Sequence, residues 1–320
     1  MKRALAACTT ALALLGGAAS CGTDEHAKPT SRANGGVGAN RIPLQSANGP
    51  VARAGGTAFS PLTLTLNGVP DSVQIRFGRQ PRSGLLFDLD TGRVLWRKDP
   101  TRILPIASVT KIMTALVVAD RVPQGSKVHI TKEALAYEGS GVGVLPKNKW
   151  VGISAMLYGL LLPSGNDAAI ALAQRTAKTV PAFVAMMNER ADAMGLTCTR
   201  YSTPSGFTDR GNSSCAADLA VQARALLDEP RLAKIVARRQ AILPFPIKGG
   251  KLYLYNHNPL LRARYPGTLG IKTGFTDAAG RCLVAAVQRN GHRLGVVLLH
   301  SPDPGGQAEK LFDRGFRAIA

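Results

Sequence analysis

Three short stretches hold residues whose types and spacing suit acyl-transfer chemistry. Ser108 and Lys111, in SVTK, stand three apart at the head of the apolar run KIMTALVVADRV. On a helix, residues i and i+3 share a face, so the amine would stand one turn above the hydroxyl. Among Ile103, Ile106, Val109 and Ile112, such an amine is partly desolvated, which disfavours its ammonium form and makes it a proton acceptor near neutral pH. N–H groups at a helix start also favour negative charge growing on the serine oxygen. The competing reading of Ser108 is an N-cap, with its hydroxyl accepting a backbone N–H of the first turn.

The second stretch is LLLPSGNDAAIALA, where Ser164, Gly165 and Asn166 fall between two helical runs. They read either as a turn with an Asn or Asp cap, or as a hydroxyl and a carboxamide able to relay a proton and to bind a peptide. The third is GTLGIKTGFTDAAG, where Lys272, Thr273 and Gly274 end a strand pattern. A cation and a hydroxyl there suit a carboxylate, and Gly274 would let a substrate backbone come close. Each stretch alone is common. In this order, at a helix start, an interhelix loop and a strand, they make a coherent set of nucleophile, base, relay and anion clamp.

The elements that must position these residues follow from the hydrophobic pattern. SGLLFDLD and RVLWRKD, joined by Asp90-Thr91-Gly92, predict a hairpin. The run from Ser108 has apolar residues at Ile112, Ala115, Leu116 and Ala119, the spacing of a helix buried along one face. Further helices are predicted from ISAMLYGLL, NDAAIALAQRTA, PAFVAMMNERADAMG and AADLAVQARALLDE. GTLGIKTGF, GRCLVAAVQR and RLGVVLLHS read as strands, the last two joined at Asn290-Gly291, before a closing helix at about 306–319. Strands at both ends around a helical middle predict an α/β domain of the α+β type, with one sheet joining the two terminal regions.

Composition sets the compartment and excludes some functions. The chain has 320 residues, 45% of them hydrophobic, with 40 Lys and Arg against 20 Asp and Glu. The resulting charge of +20 favours anionic surroundings such as wall polymer or acidic lipid. The basic residues are dispersed and not interleaved with aromatics, so no nucleic-acid partner is expected. Lys2 and Arg3 precede an apolar stretch ending in Ala18, Ala19 and Ser20, the pattern of an export signal over residues 1–20. Residues 21–80, rich in small and polar residues over most of their length, predict a flexible tether, and residues 81–320 a single catalytic domain. In an exported chain Cys198 and Cys215, seventeen apart, suit a disulfide pinning a turn-rich loop, with two buried thiols as the alternative. His26, His129, His257, His292 and His300 lack paired ligand spacing, so no metal site is expected.

DTGRVLWRKDPTRILPIASVTKIMTAL, LLPSGNDAAIALA, NHNPLL and GIKTGFTDAAGRCLVAAVQRNGHRLGVVLL resemble the blocks of the S11 peptidases, low-molecular-mass penicillin-binding proteins acting as D-alanyl-D-alanine carboxypeptidases. The resemblance runs from about Gly84 to the C-terminus. It implies a β-lactamase/transpeptidase-like domain working without a cofactor on peptidoglycan stem peptides, with β-lactams as covalent inhibitors. By the same resemblance, Ser108 attacks the carbonyl between two D-alanines, Lys111 takes its proton, and Ser164 passes a proton to the leaving amine. Asn166 holds the substrate amide, Lys272 and Thr273 grip the terminal carboxylate beside Gly274, and the N–H groups of Ser108 and Phe275 form the oxyanion hole. Endopeptidase cleavage of crosslinks and a non-catalytic wall sensor are the alternatives.

Two departures from related proteins matter. EPRLA at Glu229 resembles the Glu-Pro-x-Leu-Asn loop of class A β-lactamases but has Ala233 in place of Asn and lies 65 residues beyond Ser164 in a helical pattern, so efficient β-lactam hydrolysis is not expected. Many S11 peptidases continue into a β-rich domain and a membrane helix, whereas this sequence ends at Ala320. No C-terminal β domain is therefore expected, and membrane attachment falls to the N-terminus. There the small residues before Cys21 resemble a lipobox, with Ala18 where Leu is usual, and make Cys21 a lipidation candidate.

Overall fold

The hairpin expected near the N-terminus forms as β1 (Ser83–Asp88) and β2 (Val94–Lys98) in the computed structural model, which describes residues 62–207 and 211–320. Asp88 Oδ1 accepts the N–H groups of Asp90 and Thr91 at 2.9 and 2.7 Å, and Gly92 takes φ +75°. A side-chain acceptor and a left-handed glycine thus turn the chain. The short strand β3 (Leu104–Pro105) leads into a 3₁₀ turn at Ala107–Thr110 and then α1 (Lys111–Arg121). β4 (Lys127–His129) pairs with β5 (Trp150–Gly152), and the single turn α2 (Lys132–Leu135) lies between them.

The helical middle is α3 (Ile153–Leu161), α4 (Asn166–Ala177), α5 (Val180–Ala193), α6 (Ala216–Leu227) and α7 (Pro230–Val236). Within it, β6 (Ser213–Ser214) pairs with β3. Caps explain several starts: Thr179 accepts the Ala182 N–H ahead of α5, and Glu229 accepts the Arg231 N–H ahead of α7. Glu229 and Pro230 therefore begin a helix of their own, α7, where the sequence suggests that Pro230 closes a helix; α6 has already ended at Leu227.

A ribbon of β7 (Gln240–Pro244) and β8 (Lys251–Tyr255) and a short α8 (Pro259–Arg262) precede β9 (Thr268–Thr276), β10 (Gly280–Arg289), β11 (His292–Leu299) and α9 (Pro304–Ile319). Asn290 and Gly291 take φ +49° and +84°, the conformation a tight β10–β11 turn requires. The main sheet is antiparallel in the order β2-β1-β11-β10-β9, so strands from both ends of the domain share one sheet as expected.

Alternate residues of the central strands serve two cores. Leu85, Phe87, Val297 and Leu299 pack with the helices, while Leu86, Val296 and Leu298 pack with Leu311 and Phe312 of α9. α1 exceeds the expected one-sided stripe, because every residue from Lys111 to Val118 is buried. A helix enclosed on all sides needs no polar face, and that enclosure is what takes Lys111 out of water.

The assignment of residues 21–80 to a tether is corrected over its described part, and positions up to 61 lie outside the described residues. From residue 62 the chain packs on the far edge of the sheet: Val73 is buried, its N–H donates to Leu95 O, and Thr65 bridges to Arg93. Asp71 accepts from the Arg97 N–H and from Arg97 Nε at 3.0 and 2.6 Å. Residues 1–20 and Cys21 also lie outside the described residues.

Candidate active site

Ser108 lies within the 3₁₀ turn, one turn ahead of α1, and no side-chain cap is made at either start. The N-cap reading of Ser108 therefore gives way, and its hydroxyl is left to face Lys111. The Lys111 Nζ is 2.8 Å from Ser108 Oγ, 2.7 Å from Asn166 Oδ1 and 2.7 Å from the carbonyl oxygen of Ser205. Two of these neighbours are pure acceptors, so an uncharged Lys111 donates to Asn166 and Ser205 and turns its lone pair to the serine hydroxyl.

Burial is complete at Lys111. Desolvation holds its amine well below the ordinary lysine range, the nearby Lys272 cation pushes the same way, and Asp167 opposes both. Ile106, Val109 and Ile112 contribute to this enclosure, whereas Ile103 is 59% exposed and faces outward. The expectation for Ile103 is thus corrected; it precedes the short strand β3 and is not on the helix.

Two glycines pinch the serine turn. A Cβ on Gly206 (φ +73°) would lie 2.0 Å from Ala107 O and 2.5 Å from Thr110 Oγ1. On the other side, a Cβ on Gly274 would lie 2.8 Å from Ile106 O and 3.1 Å from Ser108 N. Gly274 therefore first serves the approach of the edge strand β9 to the serine turn. Phe275, the next residue, projects a ring that is 63% exposed at the same edge.

Ser164 and Lys272 make the second half. Lys272 Nζ donates to Ser164 Oγ at 3.0 Å and to Thr273 O at 2.9 Å. Lys272 is also buried, and desolvation brings its amine down to about 7. Ser164 takes φ +68°, which directs the loop between α3 and α4. Asn166 is the first residue of α4 and makes no cap: its Nδ2 donates to Glu138 O at 2.6 Å and its backbone N–H to Ser140 O at 2.7 Å. The cap reading of this segment is corrected accordingly.

A model of the Peptidase S11 family, described as D-alanyl-D-alanine carboxypeptidase, matches residues 78–303. The chain belongs to this family. It is 38% identical over 240 residues to D-alanyl-D-alanine carboxypeptidase DacB2 of Mycobacterium tuberculosis, covering 72% of this chain and 81% of that one. With DacF of Bacillus subtilis the identity is 32% over 245 residues, 74% of this chain and 62% of the relative, so this chain spans about three fifths of DacF. The crystal structure of a D-alanyl-D-alanine carboxypeptidase from M. tuberculosis H37Rv superposes with a TM-score of 0.71 at 35% identity, covering 77% of this chain and 94% of that one.

Within this S11 peptidase fold the three predicted stretches meet: Lys111 contacts Ser108 and Asn166, Lys272 contacts Ser164, and Gly274 lies against the serine turn. Reasoning from the sequence missed the parts supplied by backbone: the Ser205 carbonyl, the Glu138 and Ser140 carbonyls, and Gly206. A carbonyl carries no residue-type signal, so only the turn-rich composition of STPSGF pointed to that loop. Cys198 and Cys215 are joined in a disulfide that closes the base of this loop. They lie close to Asp218, but thiols bonded to each other make no metal-ligand set.

Proposed function

We propose that this chain is a serine D-alanyl-D-alanine carboxypeptidase that trims the terminal D-alanine from peptidoglycan stem peptides and is acylated by β-lactams at the same serine. The observation that carries this reading is the 2.8 Å approach of the fully buried Lys111 amine, which desolvation holds well below the ordinary lysine range, to Ser108 Oγ. Lys111 takes the hydroxyl proton as Ser108 Oγ bonds to the carbonyl carbon. The oxyanion is met by the N–H groups of Ser108 and Phe275, a contribution of about 3 kcal/mol per donor in comparable sites.

Collapse breaks the C–N bond, and a proton passes through Ser164 to the departing D-alanine amine. Lys272, held on Ser164 and flanked by Thr273, binds the free carboxylate of the substrate, which restores its charge on binding. Asn166 holds the substrate amide. Water then attacks the acyl ester while Lys111 takes its proton, and Ser108 recovers its hydroxyl.

The substrate places the reaction outside the cytoplasmic membrane, and the export-type N-terminus and the net charge of +20 support that compartment. Anchoring through a lipid on Cys21 belongs to the same proposal, and loss of fatty-acid labelling in Cys21→Ser is the outcome it requires.

Labelled penicillin is expected to tag the wild-type protein covalently, Ser108→Ala is expected to stay unlabelled, and a pentapeptide ending in two D-alanines is expected to release one D-alanine. Tagging that survives Ser108→Ala overturns the assignment. Cleavage confined to crosslinked muropeptides would make it an endopeptidase of the same chemistry, and binding without release a wall sensor.

A further inference from the structure

We propose that Asp167 is a positioning residue: its buried carboxylate clamps the loop of residues 138–143 onto the start of α4 and so holds the Asn166 carboxamide against Lys111. Asp167 is fully buried, and no step of the reaction above uses it. Its Oδ1 accepts the N–H groups of Val142 at 2.9 Å and Ala168 at 2.7 Å, and its Oδ2 that of Gly143 at 3.0 Å. Only the Ala168 bond lies within its own helix. The other two reach across 25 and 24 residues to a loop whose residues are half-buried or exposed.

The same loop returns two carbonyls to the residue before. Glu138 O receives Asn166 Nδ2 and Ser140 O receives the Asn166 N–H. An amide group that gives its NH₂ to Glu138 O has only its oxygen left for Lys111, so the loop decides which end of Asn166 the base sees. Consecutive residues Asn166 and Asp167 therefore grip one short loop from both sides, the first by donating and the second by accepting.

Gly165 shows how tightly the parts close. A Cβ there would lie 2.6 Å from Asp167 Oδ1, 2.9 Å from Val142 Cγ2 and 3.0 Å from Gly159 O. The carboxylate also acts on Lys111 directly. Of the charges on that amine, Lys272 from β9 repels its proton and Asp167 from α4 alone attracts it.

This inference rests on Ser108 and Lys111 as nucleophile and base, and two variants test it. Asp167→Asn keeps one acceptor oxygen but sets an NH₂ against the Gly143 N–H and removes the charge. Asp167→Ala removes all three bonds. In Asp167→Asn, the Val142 and Gly143 amides are expected to exchange with solvent at least about tenfold faster, with penicillin acylation of Ser108 slowed about tenfold. The acid limb of the acylation rate is expected to move to lower pH, because Lys111 loses the charge that favours its proton. Asp167→Ala is expected to do more, about a hundredfold in rate.

Unchanged protection at Val142 and Gly143 together with an unmoved acid limb in Asp167→Asn overturns the clamp. A change in rate without a shift of that limb reduces Asp167 to a stability residue and overturns the positioning role. Should Asp167→Ala fail to fold, the near-isosteric Asp167→Asn still decides. If the wild type itself is not acylated, the proposed function fails, while the exchange measurement still reads the clamp.

Discussion

At the scale of single residues, the proposed reaction asks opposite protonation states of two buried lysines. In that proposal Lys111 is neutral to accept the serine proton, and Lys272 is charged to bind a carboxylate. Burial lowers both, and the repulsion between them falls chiefly on Lys111. The sign follows: kcat/KM for D-alanine release rises as Lys111 loses its proton and falls as Lys272 loses its own at about pH 7. Once a substrate carboxylate sits on Lys272, that group holds its proton to higher pH, so the alkaline limb of kcat is expected above that of kcat/KM. Coincident alkaline limbs would remove Lys272 from carboxylate binding. Gly206→Ala is a second test, since its methyl group would meet Ala107 O. Moving the serine turn by an ångström costs about a hundredfold, so acylation by labelled penicillin is expected to fall by about that factor. The side chains that gather at the site were legible because their types and spacing announce them; Gly206 and the Ser205 carbonyl were not, because their place is set by what the fold brings beside them.

At the scale of elements, the loop from Cys198 to Cys215 is as much part of the site as α1. It delivers Ser205 O to Lys111, and inside it the Asn212 carboxamide ties Ser202 and Thr203 together. Thr114 of α1 holds the loop's Pro204 carbonyl at 2.7 Å. The Cys198–Cys215 bridge closes this loop over a separation of 17 residues. A double Cys198→Ser, Cys215→Ser variant is expected to lose about 3 kcal/mol of stability in urea unfolding. Its acylation is expected to slow as well, because a looser loop places Ser205 O less well; full activity with lowered stability would confine the bridge to folding. The hairpins at Asp90–Gly92 and Asn290–Gly291 and the helices of the middle were legible from turn residues and periodicity. The ribbon of β7 and β8 was not, for its short strands carry Ile242, Tyr253 and Tyr255 on the exposed face, against the usual alternation.

At the scale of the whole molecule, the sheet separates two jobs. Its β9 edge lies against the serine turn, and its β2 edge, four strands away, carries the segment beginning at residue 62. That segment read as tether because its few apolar residues show no period and its polar residues resemble linker composition. What orders it is long-range: Val73 enters the core beneath α9, and Asp71 accepts two bonds from Arg97 while the guanidinium also donates to Leu66 O and Val69 O. Asp71→Ala removes both bonds and leaves Arg97 without its counter-charge; each charged hydrogen bond is worth about 2 kcal/mol at most here, and because both side chains remain partly exposed, solvent screening cuts the pair to about 2 kcal/mol in total. Urea unfolding of Asp71→Ala is therefore expected to show a loss of about 2 kcal/mol with an unchanged penicillin acylation rate. The distance across the sheet is the reason for expecting the two readouts to part. A fall in acylation matching the fall in stability would mean that the two edges are coupled through the strands, and that residues 62–81 belong to the catalytic unit in function as well as in packing.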